Sequence, residues 1–209
     1  MNKKQANQNI FICGIILFMK EKIEKYLLIL YKKYRITPDI LSYIRIFSAP
    51  WLALLITKIL SGKSSILAII TIILYLIIIS TDYLDGILAR AISKTEKHDH
   101  YHGGMLDRLS DKILIIFTLI PFGLNLFTFS IILAESILVF QALYSPDHKK
   151  QATRAGKIKM VLQTFLIPLL ILQIVSSIIP EMIIYAYIIA TIIATYVSIY
   201  SHYFYFEND

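Results

Sequence analysis

The chain has 209 residues, of which 57% are hydrophobic and 17% are charged, and its formal net charge is +7. At this length, such an apolar fraction excludes an ordinary soluble core and predicts one integral membrane domain. The basic residues stand in short blocks between apolar runs, so the positive charge indicates membrane topology and contact with anionic lipids, and no nucleic-acid partner is expected.

The first 36 residues are predicted to lie along the membrane surface. The run NIFICGIILFMK is too short to span a bilayer and has no small-residue cleavage site, so it is not interpreted as a signal peptide. Together with EKIEKYLLILYKKYR it predicts an amphipathic interfacial helix. Thr37 and Pro38 then begin the first spanning helix, because a proline in the first turn gives up no hydrogen bond. The chain is therefore divided into a surface segment, 1–36, and a membrane domain, 37–209.

Six apolar runs follow, each of about twenty residues, which is the length of a membrane-spanning helix. They cover residues 40–60, 65–84, 105–123, 127–146, 157–178 and 181–202. Pro121, Gly123 and Asn125 predict a tight turn between the third and fourth runs. The predicted fold is an all-α integral membrane protein with six transmembrane helices and one N-terminal interfacial helix.

The distribution of lysine and arginine predicts the orientation of these helices. Basic residues crowd the N-terminal segment and the second and fourth connections, whereas the opposite side keeps little more than Lys58 and Lys63. By the positive-inside rule, both termini and the second connection are predicted to face the cytoplasm. The predicted location is the plasma membrane, or the inner membrane of a bacterium.

Four aspartates stand around the second connection, beside some of the most apolar sequence in the chain: Asp82, Asp85, Asp107 and Asp111. A charge near the bilayer centre costs about 2.5–3.5 kcal/mol on the gentler scales, so a function is expected for this group. The members of each pair are three or four residues apart, which places each pair on one face of a helix. Convergent carboxylates suit Mg²⁺ or Mn²⁺, which commonly bridge substrate phosphates.

Small residues and an arginine accompany the aspartates. Gly86 and Ala89 follow the first pair, and Gly103 and Gly104 precede the second. Small side chains allow a bulky phosphorylated ligand to approach the backbone. Arg90 adds a permanent charge whose forked geometry suits phosphate. The combination indicates transfer chemistry at a diphosphate.

The segments DYLDGILAR and GGMLDRLSD resemble the signature of the CDP-alcohol phosphatidyltransferase family, D-x-x-D-G-x-x-A-R followed by G-x-x-x-D-x-x-x-D. The matching positions are Asp82, Asp85, Gly86, Ala89, Arg90, Gly103, Asp107 and Asp111. The segment ITPDILSYIRIFSAP is similar to the P-N-x-L-T-x-x-R opening of bacterial members, with Asp39 in place of asparagine and Arg45 retained. AGKIKMVLQ is similar to the G-K-x-K-T-x-x-Q segment of the phosphatidylglycerophosphate synthases within that family, with Met160 in place of threonine.

The resemblance implies a membrane enzyme of phospholipid biosynthesis. Such an enzyme transfers the phosphatidyl group of CDP-diacylglycerol to a phosphorylated alcohol, here glycerol 3-phosphate, and releases CMP. It implies that the four aspartates bind Mg²⁺ or Mn²⁺, that Asp111 is the general base, and that the protein is a homodimer. The implied CDP-binding residues are Asp82, Asp85, Gly86, Ala89, Arg90, Gly103 and Asp107.

Arg154, Lys157 and Lys159 form a basic edge at the start of the fifth span. They suit a phosphate on the acceptor, although the alternative is that they only fix the topology. The acceptor would then be glycerol 3-phosphate, with inositol phosphate as the alternative. Two features depart from the family pattern: the gap between Arg90 and Gly103 is longer, and Glu135 follows an alanine where an arginine is usual.

Other interpretations remain open. A membrane prenyltransferase also uses aspartates on a diphosphate, but this chain has no second comparable motif. A transporter or scaffold with an acidic cluster would not require the neighbouring glycine, alanine and arginine. Arg45 either extends to the lipid headgroups or lines the site, and the alternating histidines of HDHYH are interpreted as a solvated loop.

Overall fold

A computed structural model describes residues 22–29, 31–95, 103–144 and 154–207, and every regular element in these ranges is helical. The predicted surface run NIFICGIILFMK and the HDHYH loop both lie outside the described residues. The helices are α1 (22–29 and 31–34), α2 (Pro38–Gly62), α3 (Ser65–Thr95), α4 (Gly103–Leu119), α5 (Leu126–Tyr144), α6 (Arg154–Ser176) and α7 (Glu181–Glu207).

Each of the six predicted apolar runs corresponds to one of the helices α2 to α7. Four of these helices, namely α2, α3, α6 and α7, are long and apolar enough to cross a membrane. The apolar part of α5 is shorter, Leu126–Gln141. Helix α4 has 17 residues and begins with the charged part of the signature, so it is about 25 Å long, less than a hydrocarbon core of about 30 Å. The helices thus indicate an integral membrane protein with at least four candidate spans.

Helix α3 is longer than its predicted span. The apolar run ends near residue 84, but the helix continues without interruption to Thr95. The polar signature from Asp82 to Arg90 is therefore carried on the last turns of a continuous helix. Leu27 of α1 packs against Ile87, Leu88 and Ile92 of these turns, so the N-terminal helix supports the end of α3 that carries the aspartates.

Helix α2 packs against both helices that carry the aspartates, α3 and α4. Ala49, Leu52, Ile56 and Ile59 recur at helical spacing on α2 and are fully buried in the main core. The other face of α2 exposes large apolar side chains, with Trp51 70% exposed, as expected for a surface that faces lipid. Around this centre, α6 packs on α7 and on α3, and α5 packs on α4 and α7.

Short turns join these helices at the end opposite the aspartates. Lys63 adopts a left-handed conformation between α2 and α3, and its amide donates to the carbonyl of Ile59. Between α4 and α5, the 3-10 turn Ile120–Phe122 ends at Gly123, which has a φ of 85°. The side chain of Asn125 then accepts hydrogen bonds from the first amides of α5. The predicted tight turn is confirmed.

Candidate active site

The structure brings Asp82, Asp85, Asp107 and Asp111 together around the guanidinium of Arg45. We call these four residues the acidic quartet. Asp82 and Asp85 lie one turn apart on α3, Asp107 and Asp111 lie one turn apart on α4, and Arg45 projects from α2 between the two helices. The two aspartate pairs therefore lie together, although the segment between Arg90 and Gly103 is longer than in the family pattern.

Arg45 contacts every member of the quartet. Its Nη1 lies 3.3 Å from Asp82 Oδ1 and also donates to Asp111. Its Nη2 lies 2.8 Å from Asp107 Oδ1 and also donates to Asp85. The arginine side chain has no solvent exposure. One guanidinium thus contacts all four carboxylates inside the bundle.

The quartet has an open side and a closed side. Asp82 and Asp107 are 32% and 35% exposed, whereas Asp85 is only 4% exposed. Asp111 lies between these extremes at 15%. The first two residues therefore form the mouth of the site, and Asp85 forms its floor.

Three of the carboxylates are spaced for a metal ion. One oxygen from each of Asp82, Asp107 and Asp111 lies within 4.8 Å of the other two. Two opposite oxygen ligands of Mg²⁺ would be about 4.2 Å apart, so a small contraction closes the group around one ion. Hard oxygen donors are the ligands that Mg²⁺ and Mn²⁺ prefer. The residues present therefore fit a divalent cation.

The residues beside the first aspartate pair leave space along α3. A side chain at Gly86 would meet only the Arg90 guanidinium, 3.8 Å away. The Arg90 Nε donates to the carbonyl of Gly86 at 2.7 Å, which holds the exposed arginine along its own helix. Ala89 is half-buried on the next turn, and Gly103 is the first residue of α4. A phosphorylated ligand can therefore reach the backbone of α3 next to the quartet.

The three basic residues predicted for the acceptor have different environments. Arg154 and Lys157 are exposed at the start of α6. Lys159 is buried, and its Nζ donates to both oxygens of Glu135 at 3.0 and 3.1 Å. The Lys159 ammonium thus already has an anionic partner.

Glu135 is the centre of a second buried network, which joins α5, α6 and α7. Gln163 donates to Glu135 Oε1 at 2.6 Å and lies 3.4 Å from the hydroxyl of Thr195. Glu135 is 1% exposed. The role of this glutamate could not be assigned from the sequence. The signal available was that Glu135 is the one charged residue of its predicted span and that Lys159 lies inside the next span, where a buried charge needs a partner.

The sequence alone did not fix the position of Arg45. Its alternatives were a headgroup contact and a position lining the site, and the structure places it in the centre of the quartet. The sequence nevertheless indicated that Arg45 needs an acidic partner. Arg45 lies seven residues after Pro38, too deep in an apolar helix to be left unpaired.

The fold and the site together define a helical membrane protein with a cluster of carboxylates suited to a divalent cation. Residues 35–199 match the family model for CDP-alcohol phosphatidyltransferase, so the chain belongs to that family. The family transfers substituted phosphate groups from a CDP-alcohol to an alcohol acceptor in phospholipid biosynthesis, and it depends on a divalent metal. No curated protein and no solved structure matches the chain significantly.

Proposed function

We propose that this protein transfers the phosphatidyl group of CDP-diacylglycerol to the hydroxyl of glycerol 3-phosphate and releases CMP. The observation that carries the proposal is the acidic quartet, in which signature residues of two helices meet and two of the carboxylates remain partly exposed. Membership of the family supplies the reaction class. The choice of a phosphorylated acceptor rests on the basic residues at the start of α6.

The quartet is proposed to hold Mg²⁺ or Mn²⁺, with Asp82, Asp85, Asp107 and Asp111 as its ligands. When bound, the metal supplies positive charge that offsets the charge developing on the attacking and leaving oxygens. Asp111 accepts the proton of the acceptor hydroxyl. The acceptor oxygen then forms a bond to the lipid-side phosphorus of the diphosphate, and the bond from that phosphorus to CMP breaks.

Asp111 is suited to act as a base because of its surroundings. Its carboxylate is bonded to Arg45 and is only 15% exposed. The hydrogen bond from the guanidinium fixes the position of the Asp111 carboxylate. Its partial exposure still leaves access for an acceptor from the mouth of the site, and holding that acceptor in place supplies much of the rate.

The CDP moiety is proposed to lie along α3, with Asp82, Asp85, Gly86, Ala89 and Arg90 on one side. Gly103 and Asp107 of α4 complete the set. The open space at Gly86 supports close approach of a phosphate to the helix backbone. The Arg90 guanidinium, already aligned along the same turn, is placed to bind a phosphate oxygen.

The acceptor phosphate is proposed to bind at Arg154 and Lys157, with Lys159 behind them. Lys112 of α4 is close enough to Lys159 and Glu135 to interact with them electrostatically, so the start of α6 lies beside the α4 turn that carries Asp111. This proximity supports a basic acceptor site next to the base. Inositol phosphate is the alternative acceptor, because it offers the same phosphate chemistry.

The proposed arrangement in the membrane has six spans, with α4 and α5 crossing beside the four longer helices. Both termini and the mouth of the quartet face the cytoplasm of the plasma membrane, or of the bacterial inner membrane. The distribution of lysine and arginine supports this orientation. A homodimer is proposed from the family resemblance.

The test is an acceptor screen with the purified full chain in detergent micelles, CDP-diacylglycerol and Mg²⁺. CMP release is measured with glycerol 3-phosphate, inositol phosphate, inositol, serine and phosphatidylglycerol as separate acceptors. We expect release with glycerol 3-phosphate, none after EDTA treatment, and recovery when Mg²⁺ is restored. Release with an unphosphorylated acceptor alone would overturn the acceptor assignment, and no release with any acceptor would overturn the proposed reaction.

A further inference from the structure

The Arg45 guanidinium contacts more carboxylates than a single ion pair requires. Its two terminal nitrogens are shared among four carboxylates, and Nη2 also lies 3.4 Å from the hydroxyl of Ser42. Its Nε is buried and has no hydrogen-bond partner among the residues that the structure describes. Every charged contact of this side chain is therefore directed at the quartet.

The charges of the cluster do not balance. Four carboxylates carry a formal charge of −4 and one guanidinium carries +1, so the cluster is short of positive charge by three. Without the arginine, two pairs of carboxylates would face each other in a partly buried site, where repulsion is strong. Arg45 is thus a cation that contacts all four members of the quartet.

The contacts of Arg45 overlap with those of a metal ion. Asp82, Asp107 and Asp111 are the three residues whose oxygens converge for a cation, and each of them also contacts the guanidinium. A divalent ion and Arg45 therefore compete for the same lone pairs. Asp85 differs, because it lies on the closed floor and is not part of the convergent trio.

We propose that Arg45 is a built-in counter-cation that sets the metal affinity of the site. Arg45 contacts all four carboxylates, and a divalent ion bound by the quartet would compete with it for their oxygens. Arg45 is thus a positioning residue: it keeps the carboxylates in place for the ion and weakens the binding of that ion. The inference deepens the proposed function and rests on its assignment of a divalent ion to the quartet.

The direct test is the affinity of the purified full chain for Mn²⁺ alone, measured by electron paramagnetic resonance of free Mn²⁺. Arg45→Gln removes the competing charge and keeps a polar side chain. Because a charge-assisted hydrogen bond is worth about tenfold or more in an equilibrium constant, we expect this variant to bind Mn²⁺ at least about tenfold more tightly than the wild type. Lys58→Gln is the matched control, since it removes one exposed positive charge from the same helix. Its affinity should equal that of the wild type.

Thermal stability gives a second readout. Arg45→Gln should melt below the wild type in EDTA, because its carboxylates then repel each other without a cation. Mg²⁺ should raise its melting temperature by more than it raises that of the wild type, since tighter binding stabilises the folded state more. Arg45→Lys keeps the charge but lacks the fork, so its Mn²⁺ affinity should lie between the two. This variant also provides the test if Arg45→Gln does not fold.

The outcomes separate this inference from the proposed reaction. Mn²⁺ affinity that is unchanged or weaker in both Arg45 variants would overturn the counter-cation role, even if the wild type releases CMP. Tighter binding would support it, even if the acceptor screen shows no turnover. Absence of Mn²⁺ binding by the wild type and both variants would overturn the inference together with the metal assignment.

Discussion

Lys159→Met distinguishes two roles for Lys159: binding the acceptor phosphate and forming an ion pair with Glu135. The sequence places Lys159 at the acceptor phosphate, whereas the structure bonds its ammonium to both oxygens of Glu135. Methionine keeps most of the volume and removes the charge. If the ion pair is the main role, the substitution leaves Glu135 as a buried charge without its cation.

The expected loss follows from the burial of the pair. Glu135 is 1% exposed and Lys159 is 6% exposed at its side chain, and removing one member of a buried ion pair costs about 3–5 kcal/mol. Gln163 still donates to Glu135 Oε1, so the expected decrease in the free energy of unfolding is near the lower end, about 3 kcal/mol. Adding Glu135→Gln removes the stranded charge, and the double variant should unfold within about 1 kcal/mol of the wild type.

The assay is reversible unfolding in mixed micelles, followed by circular dichroism, for the wild type, both single variants and the double variant. Lys157→Met is the control, because it makes the same change at an exposed position two residues away. Its unfolding free energy should stay within about 0.5 kcal/mol of the wild type. If Lys159→Met is as stable as this control and its principal effect is a raised KM for the acceptor, the structural assignment is refuted and the sequence-based one stands.

Three further predictions concern the proposed reaction. Asp111→Asn should keep the fold and CDP binding but abolish CMP release, and normal turnover would refute its role as base. Lys157→Ala should raise the KM for glycerol 3-phosphate more than the KM for CDP-diacylglycerol, whereas an unchanged acceptor KM would identify it as a topology residue. Gly86→Ala should fold as well as the wild type, because its new methyl group meets only Arg90 at 3.8 Å. It should also raise the KM for CDP-diacylglycerol, and an unchanged value would place the nucleotide elsewhere.

The helices could be predicted from the sequence better than their contacts. Apolar runs locate α2 to α7 because hydropathy and turn residues act locally. The end of α3 was missed by eleven residues, since the predicted span stopped at 84 and the helix ends at Thr95. A span predicted from hydropathy ends at the first charged residues. The charged residues of α3 have partners on other helices, so the backbone remains helical beyond that point.

The two buried networks depend on contacts that periodicity does not contain. The spacing of each aspartate pair predicts a shared face, but not that the faces of α3 and α4 meet on Arg45, which precedes Asp111 by 66 residues. Glu135 and Lys159 are 24 residues apart and on different helices. The sequence does predict that a charge inside an apolar helix needs a partner. The candidate partners are the other charges inside such helices.

Helix α4 connects the two networks. Successive residues on a helix point about 100° apart, and Asp111 accordingly contacts Arg45 while Lys112 lies within electrostatic range of Lys159 and Glu135. The acidic quartet carries excess negative charge, which suits a cation and the diphosphate that this cation binds. The start of α6 carries positive charge, which suits an acceptor phosphate. In the proposed transfer from CDP-diacylglycerol to a phosphorylated acceptor, these two regions would bind different substrates. The proton-accepting group would have to stand where the two regions meet, and Asp111 is the quartet member next in sequence to Lys112.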